Sequence, residues 1–231
     1  MTCLSKADER AEVDVKRFCG CIVGILLLLS ATGCANDLFR SVYRLNSVQT
    51  PQSLDPGIPL AIVVDYVTIP EVVDRPQLVL RINPSQLRVA EAARWSEPLK
   101  VQIANVVAVD MQRLFVDARV STILQPTDRP TVRIAINVQT FDSAPGSGAV
   151  LVVGWSILIP DSKRVLNGRS LVIQRVDVSG YDALVDAQSQ ALGAVCVDMA
   201  EAIVSAIKKK PQRVDRVFDA MDHQNTLRTR S

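Results

Sequence analysis

The sequence predicts an α+β fold, a mostly antiparallel sheet with two main helices packed on one face. Three features predict it. β-branched runs come first, a helical stripe interrupts them, and three further strands lead into a second, longer helical stripe. Hydrophobic residues form 48% of the 231 residues, enough for a real core, but aromatics only 4%, so aliphatic side chains must fill it.

The first 33 residues stand apart. Lys16-Arg17 precede an apolar run from Phe18 to Leu29, and Ser30-Ala31-Thr32-Gly33-Cys34 follows. A positive flank, a short apolar stretch and small residues describe a signal peptide. Phe18 to Gly33 counts 16 residues, whereas a spanning helix needs about 20. An uncleaved anchor or an ordinary cleaved signal are therefore the weaker readings beside a lipoprotein signal over 1–33.

Residues 34–59 read as a linker with a short strand, and 46–59, rich in Pro, Asn, Ser and Gly, as a loop. The domain proper is expected over 60–209. Leu60–Ile69, Gln77–Ile82 and Gln86–Ala90 read as strands, with Pro76 and Pro84 limiting pairing at their ends. Ser96-Glu97-Pro98 predicts a helix start, with Ser96 as N-cap and Pro98 in the first turn. Leu99, Ile103, Val107, Met111 and Leu114 then recur at helical spacing.

Val132–Phe141 alternates, with Val132, Ile134, Ile136 and Val138 on one face and Arg133, Asn137 and Gln139 on the other. Ser143–Gly148 is expected to be a hairpin loop. Ala149–Ile159 is apolar on both faces and belongs centrally in the sheet. Asn167-Gly168 is expected to turn the chain into a strand over Leu171–Val178. Tyr181–Lys209 reads as a long helix closed by Pro211, with Lys208-Lys209-Lys210 complementing its negative end. Residues 210–231 form a basic polar tail.

Charge excludes one function class. The net charge is +2, but from Lys208 onward seven basic residues face three acidic ones, and residues 34–207 are slightly acidic. The domain lacks the basic footprint of a nucleic-acid binder. The tail reads either as a solvated terminus or as a contact for anionic lipid or a partner.

Catalytic constellations are missing from the sequence. The single His is His223, in the polar tail, which argues against a Ser–His–Asp triad or a His metal site. No GxSxG, P-loop or GxGxxG follows a strand. Asp65, Glu71 and Asp74 read as solvated charges near a strand end. Of Cys3, Cys19, Cys21, Cys34 and Cys196, the first three precede the expected processing site. Cys196 lies on a helical stripe with Leu192, Val195, Met199 and Ile203, as a buried core thiol would. Trp155 reads as core, and Trp95 as either core or interface. No enzyme, metal or cofactor is expected.

Ala31-Thr32-Gly33-Cys34 resembles the bacterial lipobox, in which the Cys thiol takes a diacylglycerol. Ala35 in place of Asp points to the outer membrane. Downstream, Tyr43-Arg44-Leu45, Asp74-Arg-Pro-Gln-Leu-Val-Leu-Arg81 and Ala93-Arg-Trp-Ser-Glu-Pro-Leu99, with a strand carrying Trp155 and a closing amphipathic helix, resemble the PqiC-type family of ABC-transport auxiliary lipoproteins. The resemblance spans about residues 41–207. It implies a non-catalytic component working beside an MCE-domain protein and an ABC permease and ATPase, in the movement of lipids across a Gram-negative envelope. It also marks Asp74, Arg75 and Trp95 as candidate partner contacts, and makes a homo-oligomer conceivable by analogy. Two other readings stay open: a periplasmic module that itself binds a lipid, and a structural envelope lipoprotein without transport.

The lipobox gives a direct test. Cys34→Ser should leave the domain folded but move it from the membrane pellet to the soluble fraction. Full retention in the pellet would favour an uncleaved anchor.

Overall fold

The computed structural model describes residues 41–48, 53–160 and 164–209. The signal peptide, Cys34 and the basic tail with His223 lie outside these residues. The order is β1 (Ser41–Tyr43), β2 (Ala61–Thr68), a 3-10 turn (Glu71–Val73), β3 (Gln77–Asn83), β4 (Gln86–Trp95), α1 (Leu99–Leu114), β5 (Arg119–Ser121), β6 (Thr131–Ala144), β7 (Gly148–Leu158), β8 (Val165–Gln174) and α2 (Tyr181–Lys208).

The strands form two sheets, β1-β4-β3 and β5-β2-β6-β7-β8. The hairpins β3–β4, β6–β7 and β7–β8 are antiparallel, as expected. The sheets are nevertheless mixed, because β1 runs parallel to β4, and β2 runs parallel to both β5 and β6. The parallel pairs of β2 follow from the helical crossover: α1 returns the chain to the starting end of β2 before β5 and β6 begin.

Both helices pack on the same face of the five-stranded sheet. α1 rests on β2 and β5, α2 on β6, β7 and β8, and the helices touch each other. The alternation of β6 explains this. Val132, Ile134, Ile136 and Val138 are all buried, and their cross-strand neighbours Ile62, Val64 and Val153 extend the same aliphatic layer. The helical stripe Leu99, Ile103, Val107, Met111 and Leu114 is buried against it. On the opposite face Arg133, Asn137 and Gln139 are exposed, and Arg133 reaches the Asp65 carboxylate at 2.6 Å. α2 is long and apolar enough to cross a membrane by length and composition. Its apolar side, including Leu192, Val195, Cys196, Met199 and Ile203, is buried in the core instead.

Several local expectations need correcting. β4 continues past Ala90 to Trp95, held by β1 on one side and β3 on the other. Ser96 is not the N-cap. α1 begins at Leu99 with Pro98 in the cap position and no side-chain cap, while the Ser96 N–H donates to the Tyr43 carbonyl at 2.8 Å. β6 runs on to Ala144, so Ser143 belongs to the strand rather than to the hairpin loop. Asn167-Gly168 does not turn the chain. β8 begins at Val165 and ends at Gln174, short of Val178, with Gly168 opposite Trp155.

Gly168 is a packing glycine. A Cβ there would overlap the Trp155 indole ring, which lies across the strand where a side chain would stand. Trp155 Nε1 donates to Ser170 Oγ at 3.2 Å, and Ser170 Oγ donates to the Asp198 carboxylate on α2 at 2.6 Å. Trp155 thus packs against the core and pins α2 to the edge of the sheet. Gly168→Ala should cost about 1–3 kcal/mol through overpacking, read as a lower urea midpoint. Pairing it with Trp155→Leu should recover part of that loss; an equal loss in both backgrounds would show that the ring is not the obstacle.

Candidate functional site

The two signature segments, distant in sequence, meet in space. After β2 the 3-10 turn Glu71–Val73 is closed by the Asp74 N–H donating to the Glu71 carbonyl at 3.1 Å, and Val73 plugs the turn into the core. Pro76 then places its carbonyl 2.7 Å from the Trp95 N–H. The Asp74 carboxylate reaches Lys100 Nζ at 2.6 Å in the first turn of α1. Because both partners are substantially exposed, that ion pair positions the turn more than it stabilises the fold.

The three candidate contacts therefore sit in one neighbourhood but present themselves differently. Arg75 is exposed, and its guanidinium has no ion pair or hydrogen bond among the described residues. Asp74 is partly exposed and engaged with Lys100. Trp95 is only 8% exposed. Its ring meets Phe141 edge-on at a 6.2 Å centroid distance, a geometry that suits the aromatic quadrupole. The Trp95 backbone ties Pro76 to β4 and its indole packs on Phe141, while Asp74 and Arg75 stay at the surface.

Toward the other end of β3, beside the β3–β4 hairpin, the Arg81 guanidinium pairs with the Asp142 carboxylate on β6, Nε lying 2.7 Å from Oδ2. This pair joins the small sheet to the large one. Glu71 is a solvent-facing charge.

A second polar cluster lies at the seam between the helices. The chain entering β1 continues as an extended segment held by side chains. The Leu45 N–H donates to Gln102 Oε1 at 2.9 Å, and the Asn46 N–H to Ser189 Oγ at 3.1 Å. Arg113 Nη1 donates to the Val48 carbonyl at 3.0 Å. Val48 fills the hollow that Gly193 leaves on α2. A glycine within a helix costs about 1 kcal/mol relative to Ala, and here it makes room for this segment. Asp110 sits beside them, fully inaccessible, with neither carboxylate oxygen closing a hydrogen bond among the described residues. Burial pushes its pKa up to about 6, against the opposing effects of Arg113 and the Val48 amide.

The sequence reading did not single out Asp110. Its signal was present: Asp110 falls seven residues after Ile103 and next to Met111, on the buried stripe.

No group of His, Cys, Asp and Glu able to hold a metal occurs among the described residues. Cys196 is buried, and desolvation, followed by the nearby Asp110 charge, raises its thiol pKa well above the ordinary value, which makes it a poor nucleophile. A groove of about 570 Å³ lies between residues 53–60 and Phe115–Ala118, with Arg129 in its lining. It joins polar backbone to a few apolar side chains and gathers no catalytic pair.

Asp110 gives a pH dependence with a definite sign. Its folded pKa stands above the unfolded value near 3.8, so the ionised group opposes folding above about pH 6. That cost disappears as pH falls from about 6 to below 4. A shift of this size corresponds to roughly 3 kcal/mol. Asp110→Asn should therefore be more stable than the parent at pH 8, with the difference shrinking toward pH 4, in urea denaturation. A difference independent of pH would contradict this account.

Comparison with known proteins agrees with the fold and the signature. No curated protein matches the chain. Protein XCC0632 from Xanthomonas campestris has a solved structure of the same fold, at 18% identity and a TM-score of 0.57, covering 73% of this chain and 98% of that one. An uncharacterized protein of known structure is similar at 18% identity and a TM-score of 0.57, covering 71% of this chain and 98% of that one. The family described as the ABC-type transport auxiliary lipoprotein component matches residues 43–200. This span runs from the segment laid across the helix seam through both signature segments and most of α2, and the chain belongs to that family.

Proposed function

We propose that this protein is the non-catalytic lipoprotein component of an MCE-type ABC transport system that moves lipids across a Gram-negative envelope. Lipid on Cys34 anchors it, facing the periplasm, with the outer membrane as its site. The observation that carries the reading is the family match over residues 43–200, joined to a lipobox directly upstream. The ATP-binding and channel-forming work falls to partners, since the sequence carries no nucleotide-binding motif.

The contact surface for an MCE-domain partner centres on the Asp74–Arg75 turn. Three physical points support it. The turn is held in place, being closed by the 3-10 hydrogen bonds, tied to α1 through Lys100 and tied to β4 by the Trp95 N–H on the Pro76 carbonyl. Its Arg75 guanidinium is exposed and uncommitted, and arginine is favoured where a fixed fork must meet a partner's carboxylates or carbonyls. The turn lies where the two sheets meet, so a load on it is carried by the whole fold. Self-association belongs to the same proposal. At the edge strand β8, Leu171 and Ile173 are 60% and 61% exposed on the face away from the helices, the kind of edge that proteins normally cover.

Crosslinking mass spectrometry in intact cells tests this reading. It should recover links from residues around Arg75, such as Lys100, to an MCE-domain protein, and Arg75→Glu should reduce them several-fold while leaving the thermal midpoint within about 1 °C, as surface substitutions usually do. Recovery of no MCE-domain protein by the wild-type chain would overturn the assignment.

A further inference from the structure

The segment from Ser41 to Val48 is attached unlike the rest of the fold. β1 contributes three residues to the edge of the small sheet. Beyond it, the backbone is held one bond at a time by Gln102, Ser189 and Arg113, which project from α1 and α2. The segment therefore lies across the seam between two helices that already contact each other.

Asp110 is ill suited to a permanent seam. A buried carboxylate whose one polar contact on the overlying segment is a weak one to the Val48 amide is costly, and an apolar or amide side chain of similar size would serve a static joint better. The charged and titratable groups acting on it are Arg113 on its own helix and the Cys196 thiol on α2, while the overlying segment offers only the Val48 amide. Removing the segment would return Asp110 to water. The docked state thus favours the protonated acid, and the released state the carboxylate.

We propose that residues 41–48 form a releasable strap, docked across the α1–α2 seam, whose hold is tightened when Asp110 takes up a proton and whose release lengthens the tether to the lipid. The tether part of this proposal rests on the Cys34 anchor proposed above. Six residues lie between Cys34 and Ser41, the first described residue of the strap, a reach of at most about 25 Å. With the strap released, the next backbone attachment among the described residues is the Leu54 N–H bonded to the Leu114 carbonyl at 2.7 Å. The chain from Cys34 to Leu54 can span about 70 Å. The docked strap keeps the domain close to its membrane, and the released one lets it reach toward a distant partner.

Amide exchange on the mature lipidated chain in detergent tests the device. Corrected for intrinsic rates, the opening constant of residues 43–48 should exceed that of β6 and β7 and fall about tenfold from pH 8 to pH 5, as a pKa near 6 docked and near 3.8 released requires. Asp110→Asn should abolish this pH dependence. Exchange of the strap only together with β6 and β7, or the same pH dependence in Asp110→Asn, would overturn the proposal. A lock provides the second arm. A Cβ built on Gly193 lies 3.5 Å from the Val48 Cβ, within the range for a disulfide. Val48→Cys with Gly193→Cys, in a Cys196→Ala background, should bring strap exchange down to the rate of the core when oxidised and restore it on reduction. Unchanged exchange in the oxidised form would show that the seam does not open and would also overturn the proposal. Neither readout involves transport or a partner, so failure of the proposed function would not mimic failure here.

Discussion

The structure depends on covering one face of a five-stranded sheet with two helices while using almost no aromatic residues. Aliphatic side chains have few ways to fill space, and a core of them must interdigitate closely. The layer formed by Ile62, Val64, Val132, Ile134, Ile136, Val138 and Val153 meets Ile103, Val107 and Met111 from α1 and Leu192, Val195 and Met199 from α2. Emptying one such position, as in Met111→Ala, falls in a range of about 2–5 kcal/mol, a large share of a typical domain's stability. The scarce rings stand where layers join: Trp95 on Phe141 between the sheets, Tyr43 beside Tyr181 where the entering chain meets α2, and Trp155 at the sheet edge.

Against that apolar background the few buried polar groups carry particular meaning. Gln102 and Ser189 satisfy the backbone of the entering segment and have nearby backbone partners as well, Gln102 donating to the Glu97 carbonyl just before α1 and Ser189 to the Val185 carbonyl on α2. Ser170 links the Trp155 indole to Asp198. These are the satisfied contacts expected of a stable interior. Asp110 departs from the pattern, and it does so where the path from the membrane anchor enters the domain. A cost placed at such a joint makes local opening cheaper than global unfolding. The strap and the core thus share residues but need not share a stability.

The functional reading fits this division of labour. The described residues assemble no catalytic or metal-binding group, and the buried Cys196 is chemically quiet. What the fold supplies is a rigid surface turn at Asp74–Arg75, an exposed sheet edge at β8 and an attachment for the N-terminal segment. These features suit a transport auxiliary lipoprotein, the family to which the chain belongs.

Much of the architecture was legible in the sequence, because periodicity reports directly which side of an element meets the core. The alternation of Val132–Val138 and the stripe Leu99–Leu114 each identified both an element and its buried face. The closing helix was read within a residue of its observed end. The family was legible too, since the resemblance over about residues 41–207 agrees with the family match over residues 43–200. The rest was decided by contacts between residues far apart in the chain. β5 is three residues long and exists as a strand only because β2 pairs with it. The parallel direction of β2 against β6 is set by the crossover through α1, which no local pattern encodes. Gly168 suggested a turn and proved to be the floor beneath Trp155. Ser96 suggested a cap, but its amide was claimed by Tyr43. Residues 41–48 read as part of a linker with a short strand because their side-chain partners Gln102, Arg113 and Ser189 lie 57 to 143 residues away along the chain. Local periodicity determined which faces are buried; only the tertiary structure decided which segments meet there, because pairing direction, side-chain overlap and the partners of buried polar groups are properties of distant residues brought together.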